Sequence, residues 1–192
     1  LLSAVTIKDV TKPLKLADRM AFYHVPGVSV AVINEGNLEW AKSYGVLEEG
    51  RDALVTTETY FQAASISKTV TAVAALVLVQ QGKLSLDEDV NRKLTAWRVP
   101  DNEFTRTQKV TLRRLLSHTA GIVEHKYPGY ESAAALPTVF QVLNGVPPAI
   151  TPPIRVERVP GSAFQYSGGG YLIVQQLLSD VAAGKIDIES VD

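Results

Sequence analysis

Ser65 and Lys68 stand three residues apart in the run Ser65-Ile66-Ser67-Lys68. Positions at that spacing share one face of a helix, so the Lys68 amine can reach the Ser65 hydroxyl. A serine hydroxyl is a poor nucleophile until a neighbouring base takes its proton, and a lysine can act as that base once burial depresses its pKa. A helix start adds backbone N–H groups and the positive end of the dipole, which favour an alkoxide or a developing oxyanion. Taken alone, the four residues more often mean an N-cap serine followed by a solvated lysine. A second element lies at Phe164-Gln165-Tyr166-Ser167-Gly168-Gly169-Gly170-Tyr171, a tyrosine followed by a Gly-rich turn. Glycines let the backbone approach a ligand closely, and a phenol beside an ammonium can hold or pass a proton. The same residues also fit a packed loop tyrosine whose glycines serve only to turn the chain.

Other constellations are missing from the sequence. Gly-x-Ser-x-Gly, His-Glu-x-x-His, Gly-x-Gly-x-x-Gly and the phosphate-binding Gly-x-x-x-x-Gly-Lys do not occur. His24, His118 and His125 are the three histidines, and no two are spaced to share a metal on one helix face. With no cysteine there is no disulfide, thiolate metal site or cysteine nucleophile. Nineteen Lys and Arg against 20 Asp and Glu leave a net charge of -1 without a basic block, which argues against a phosphate-neutralising nucleic-acid binder. The most apolar stretch, Val70 to Val79, is about half a membrane span.

The surrounding elements must position these groups. Val10 to Phe22 carries apolar residues at three- and four-residue spacing and reads as an amphipathic helix. The β-branched run Val28 to Ile33, the turn Asn34-Glu35-Gly36-Asn37 and Leu38 to Ala41 predict a β-hairpin. Ser65 to Gln81 has no Gly or Pro, is rich in Ala, Val and Leu, and stops at Gly82, which predicts one buried helix. Thr111 is the expected N-cap of a short helix through Leu116, with Gly121 closing the loop after it. A Pro-rich region from Tyr127 to Gly161 holds one helical stretch, Leu136 to Leu143, and a last helix is expected from Gly170 to Ala183, capped by Gly184. Trp40 and Trp97 read as packing aromatics, and His24 and His118 as structural.

The order of these segments resembles the serine β-lactamase and penicillin-binding-protein-like hydrolases, in the branch of class C β-lactamases, DD-peptidases and related esterases. Pro26 to Val32 with Lys42-Ser43-Tyr44-Gly45 is similar to the family's first hairpin, and Thr59 to Thr69 is similar to its Ser-x-x-Lys nucleophile motif and approach. Gln81 to Val90 and Leu115-Leu116-Ser117-His118-Thr119-Ala120-Gly121-Ile122 resemble two further signatures. The resemblance implies an α/β (α+β) fold of β-lactamase type. Residues 1–64 would supply a helix and part of an antiparallel sheet, 65–184 a mainly helical region carrying the nucleophile and tyrosine motifs, and 185–192 a tail. It further implies a serine hydrolase that forms a covalent acyl-enzyme on a small-molecule ester, amide or β-lactam, with no cofactor and no metal, in a periplasmic or secreted setting. Ser65 would be acylated, Lys68 would activate it, and Tyr166 would transfer protons, with Ser167 and Gly168 contacting substrate.

Two departures qualify what the resemblance implies. Gly168 stands where the family's Tyr-x-Asn element has its side-chain amide, which weakens a β-lactam reading and leaves esterase or peptidase more open. The family's later Lys- or His-Thr/Ser-Gly strand has no counterpart here, since His118-Thr119-Ala120-Gly121 falls in the helical region. The expectation is therefore a fragment, a truncated homologue, or one chain of a processed pair whose sheet a second polypeptide completes. The alternative is a catalytically silent binding or scaffold homologue that keeps the groove.

Overall fold

The computed structural model describes residues 15–123, 127, 129–131 and 135–182. The chain divides between Gln62 and Ala63 into two compact units. Expectations for residues 10–14, for Gly184 and for the tail lie outside the described residues.

The first unit holds α1 (Leu16–Phe22) and a hairpin of β1 (Gly27–Asn34) and β2 (Asn37–Gly45). Its two-residue loop has Glu35 at φ 47° and Gly36 at φ 77°. Two positive φ values in succession make a type I′ turn, whose twist matches that of the paired strands. The register runs from Gly27 opposite Gly45 to Asn34 opposite Asn37. Val32 faces Trp40 while Ile33 faces Leu38, so Glu39 is the extra residue of a bulge. Val28, Val30 and Val32 are half-buried and alternate with exposed Ser29, Ala31 and Ile33, as a period-2 pattern requires.

In the second unit a 3₁₀ turn (Ala64–Ile66) leads into α2 (Ser67–Gln80), and α3 (Leu112–Leu116), α4 (Val139–Asn144) and α5 (Gly168–Val181) follow. α5 packs against α2, α3 and α4, so it is the centre of the core. Ile173, Val174 and Leu177 are fully buried there with Leu78, Leu112, Leu115, Leu143 and Ile154. The Asp180 carboxylate of α5 accepts N–H bonds from Thr95 and Ala96 at 2.7 and 3.2 Å, which fastens the long connection after α2.

Three helix expectations need correction. α2 does not run from Ser65 as one buried helix. Ala75 and Leu78 form a buried stripe with half-buried Thr71 and Ala74, while Val70, Val73 and Leu76 are exposed among the described residues. One helix side can face α5, and the apolar composition concealed that division. α4 starts at Val139 rather than Leu136, because Thr138 caps it through a capping box with Gln141. α5 starts at Gly168 rather than Gly170, because the Ser167 hydroxyl accepts the Gly170 N–H at 3.0 Å, and its last residue is Val181. The glycines thus belong to the helix. A Cβ at Gly169 would lie 2.8 Å from Ile154 Cδ1 and 3.3 Å from Ile122 Cγ2, so a bare backbone lets α5 sit this close. α3 has the expected Thr111 cap, whose hydroxyl accepts the Arg114 N–H at 3.3 Å.

Candidate active site

Ser65 lies in the 3₁₀ turn that precedes α2, with its side chain exposed. Ala64 before it has φ 45°, a left-handed conformation that costs an L-residue about 1–2 kcal/mol. Amides of a helix's first turn have no intrahelical carbonyl partner, which makes the Ser65 N–H available as an oxyanion donor.

Three groups converge at the Ser65 hydroxyl. The Lys68 ammonium donates to Ser65 Oγ at 3.2 Å, one helical turn on. The Tyr166 hydroxyl donates to the same oxygen at 2.8 Å, across 101 residues of chain. Lys68 Nζ also lies 5.1 Å from the Tyr166 ring centre and 5.5 Å from that of Tyr171, on the faces that attract a cation. No carboxylate among the described residues pairs with Lys68. Its hydrogen bond to Tyr166, followed by that of Ser65, holds the Tyr166 phenol below its ordinary pKa against a smaller opposing effect of burial. Burial and the neighbouring Tyr166 push Tyr171 the other way. Two phenols five residues apart are thus shifted in opposite directions.

Gly168 and Ser67 line a cavity of about 670 Å³ with Lys68, Tyr171 and Leu172. Ser167 is buried, its hydroxyl capping α5 and its N–H donating to His118 Nδ1 at 3.1 Å. Of the residues expected to touch substrate, Gly168 thus lines this cavity and Ser167 is buried. Among the described residues no three His, Asp or Glu side chains are grouped to hold a metal ion. No described helix is long and apolar enough to cross a membrane.

His118 and Tyr171 also stand near Lys68 and were not singled out for this role by the sequence. The His118 ring lies 4.5 Å from the Tyr166 ring and 5.2 Å from the Tyr171 ring. Burial first, and then the Lys68 charge, keep its pKa below the ordinary histidine value. No local pattern marks this role: His118 only follows the capped short helix α3, where it takes a positive φ of 57°.

An exposed serine, a lysine three residues later and a distant tyrosine thus meet at one oxygen. A sequence profile of the Beta-lactamase family matches residues 15–187, and the chain belongs to that family. It is 45% identical over 100 residues to penicillin-binding protein 4 of Amycolatopsis lactamdurans, a match covering 52% of this chain and 26% of that protein. The octameric penicillin-binding protein homologue of Pyrococcus abyssi superposes with a TM-score of 0.68 at 26% identity, over 90% of this chain and 39% of the other. EstCE1, a hydrolase with promiscuous acyltransferase activity, does so with a TM-score of 0.70 at 25% identity, over 88% and 46%. The chain therefore spans less than half the length of each of these relatives, and its fold is that of the β-lactamase-like proteins.

Proposed function

We propose that this chain carries the nucleophilic centre of a serine hydrolase that transfers acyl groups from small esters, amides or β-lactams through a covalent intermediate on Ser65. The observation that carries the reading is the convergence of Lys68 Nζ and Tyr166 Oη on Ser65 Oγ at 3.2 and 2.8 Å. In the reactive state the pair holds one proton fewer, with the ammonium on Lys68 stabilising a Tyr166 phenolate. Ser65 Oγ attacks the acyl carbon while its proton passes to Tyr166, and the carbonyl oxygen takes up negative charge at the Ser65 N–H. As the tetrahedral centre collapses, Tyr166 returns that proton to the leaving alcohol or amine, and an acyl ester remains on Ser65. Water then attacks the ester, its proton passing to Tyr166 and back to Ser65 as the acid leaves.

Gly168 forms the substrate-facing start of α5, and Ser167 acts by fixing that helix end. Without a side-chain amide at Gly168, simple esters fit this wall better than substrates that need such an amide. The test is intact-mass analysis after incubation with a fluorophosphonate or a penicillin. One adduct, mapped to Ser65 and absent in Ser65→Ala, supports the enzyme. No adduct on folded protein overturns it in favour of a silent binding homologue.

A further inference from the structure

His118 grips both sides of Tyr166. Its carbonyl accepts the Gln165 N–H at 2.8 Å, and its Nδ1 accepts the Ser167 N–H at 3.1 Å. The imidazole also lies against the tyrosine ring at 4.5 Å, with Phe164 edge-on at 5.9 Å. Since Ser167 caps α5 and the Tyr166 hydroxyl rests on Ser65, the imidazole touches both the residue that caps the helix and the ring that reaches the nucleophile. The geometry points to His118 as a positioning residue that, in its neutral form with the proton on Nε2, holds the Tyr166 hydroxyl on Ser65. This rests on the assignment of Tyr166 as proton carrier.

The chemistry of the ring supplies the switch. A neutral imidazole accepts at one nitrogen, whereas an imidazolium donates from both and cannot receive the Ser167 N–H. Protonation therefore sets two donors against each other at 3.1 Å. The titratable groups facing His118 are Lys68 of α2, Tyr166 beside it and Tyr171 of α5. Burial opposes a positive charge on the ring, and so does Lys68 to a lesser degree, so the grip lasts to a lower pH than a free histidine would allow. A residue that only filled space would not tie the tyrosine to the protonation of this ring.

Nitrogen–proton correlation spectra of the full chain, titrated from about pH 8 to about pH 5, read the link without any reaction. The Ser167 amide is expected to move with the His118 ring signals, at a shared midpoint below about 6.5. The rate of Ser65 phosphonylation by a fluorophosphonate should lose an acid limb with that same midpoint. His118→Leu removes the acceptor and is expected to slow phosphonylation by about 10²-fold, the order that misplacing a reacting group costs. His118→Asn presents Oδ1 near the position of Nδ1, tolerates a positive φ and does not titrate, so it should recover most of that loss and abolish the acid limb. A Ser167 amide that stays still through the imidazole titration overturns the inference, as does an Asn variant no better than Leu. Absence of any Ser65 adduct in the unmodified chain at every pH overturns instead the hydrolase reading, while the amide titration still reports on the His118 link.

Discussion

Replacing Tyr166 with Phe removes one oxygen and leaves nearly everything else. The ring keeps its place beside His118 at 4.5 Å and beneath the Lys68 ammonium at 5.1 Å, and Lys68 stays 3.2 Å from Ser65 Oγ. What disappears is the 2.8 Å bond to Ser65 and, with it, the group proposed above to accept the serine proton. Loss of a positioned general base costs about 10²- to 10⁴-fold in rate. The assay is the second-order rate constant for phosphonylation of Ser65, followed by intact mass from about pH 6 to about pH 10. In the unmodified chain the rate should climb with pH to a plateau whose midpoint lies below the ordinary phenol value of about 10, because Lys68 favours the phenolate. In Tyr166→Phe that limb should vanish along with the rate. A variant reacting within about threefold of the original across the range would show that the phenol is a bystander and that Lys68 alone activates Ser65.

Lys68→Met removes the hydrogen-bond donor, and with it the charge, that lower Tyr166, so the alkaline limb should move upward toward the free phenol value; an unmoved limb refutes the coupling. Gly169→Ala forces a methyl to 2.8 Å from Ile154 Cδ1 and should cost about 1–3 kcal/mol in urea unfolding. Adding Ile154→Val, which deletes that methyl, should return part of the loss, and strict additivity of the two changes would contradict the contact. Glu35→Asn places a residue suited to positive φ before Gly36 and should stabilise the hairpin unit by about 0.5–1 kcal/mol, measured by hydrogen exchange across β1 and β2. Stability should also fall as pH drops through about 6.5, since the unfolded chain takes up the His118 proton before the folded one does. That contribution is complete above the unfolded value and is lost on passing through the folded one. His118→Asn should flatten this slope between about pH 7.5 and about pH 5, above the range where Asp87 and Asp101 titrate.

The features legible in the sequence are those that depend on neighbours along the chain. Ser65 and Lys68 meet because three residues on a turn of helix always share a face, and the hairpin forms where Glu35-Gly36 permits two positive φ values. Thr111 caps α3 through a bond that spans three residues. The order of motifs also carried the family, because each is a local pattern and their sequence along the chain is itself readable. Tertiary packing decided the rest. Composition describes α2 as uniformly apolar, but its stripe through Ala75 and Leu78 became the buried side because α5 lies there. A loop tyrosine and a proton carrier look alike in sequence, and only the core around Ile154 and Leu177 sets α5 so that Tyr166 reaches an oxygen 101 residues earlier. His118 likewise reads locally as the residue after a short helix. Its grip on Gln165 and Ser167 exists because α3 and α5 pack side by side, and a hydrogen bond between distant segments leaves no periodicity or spacing for a sequence to display.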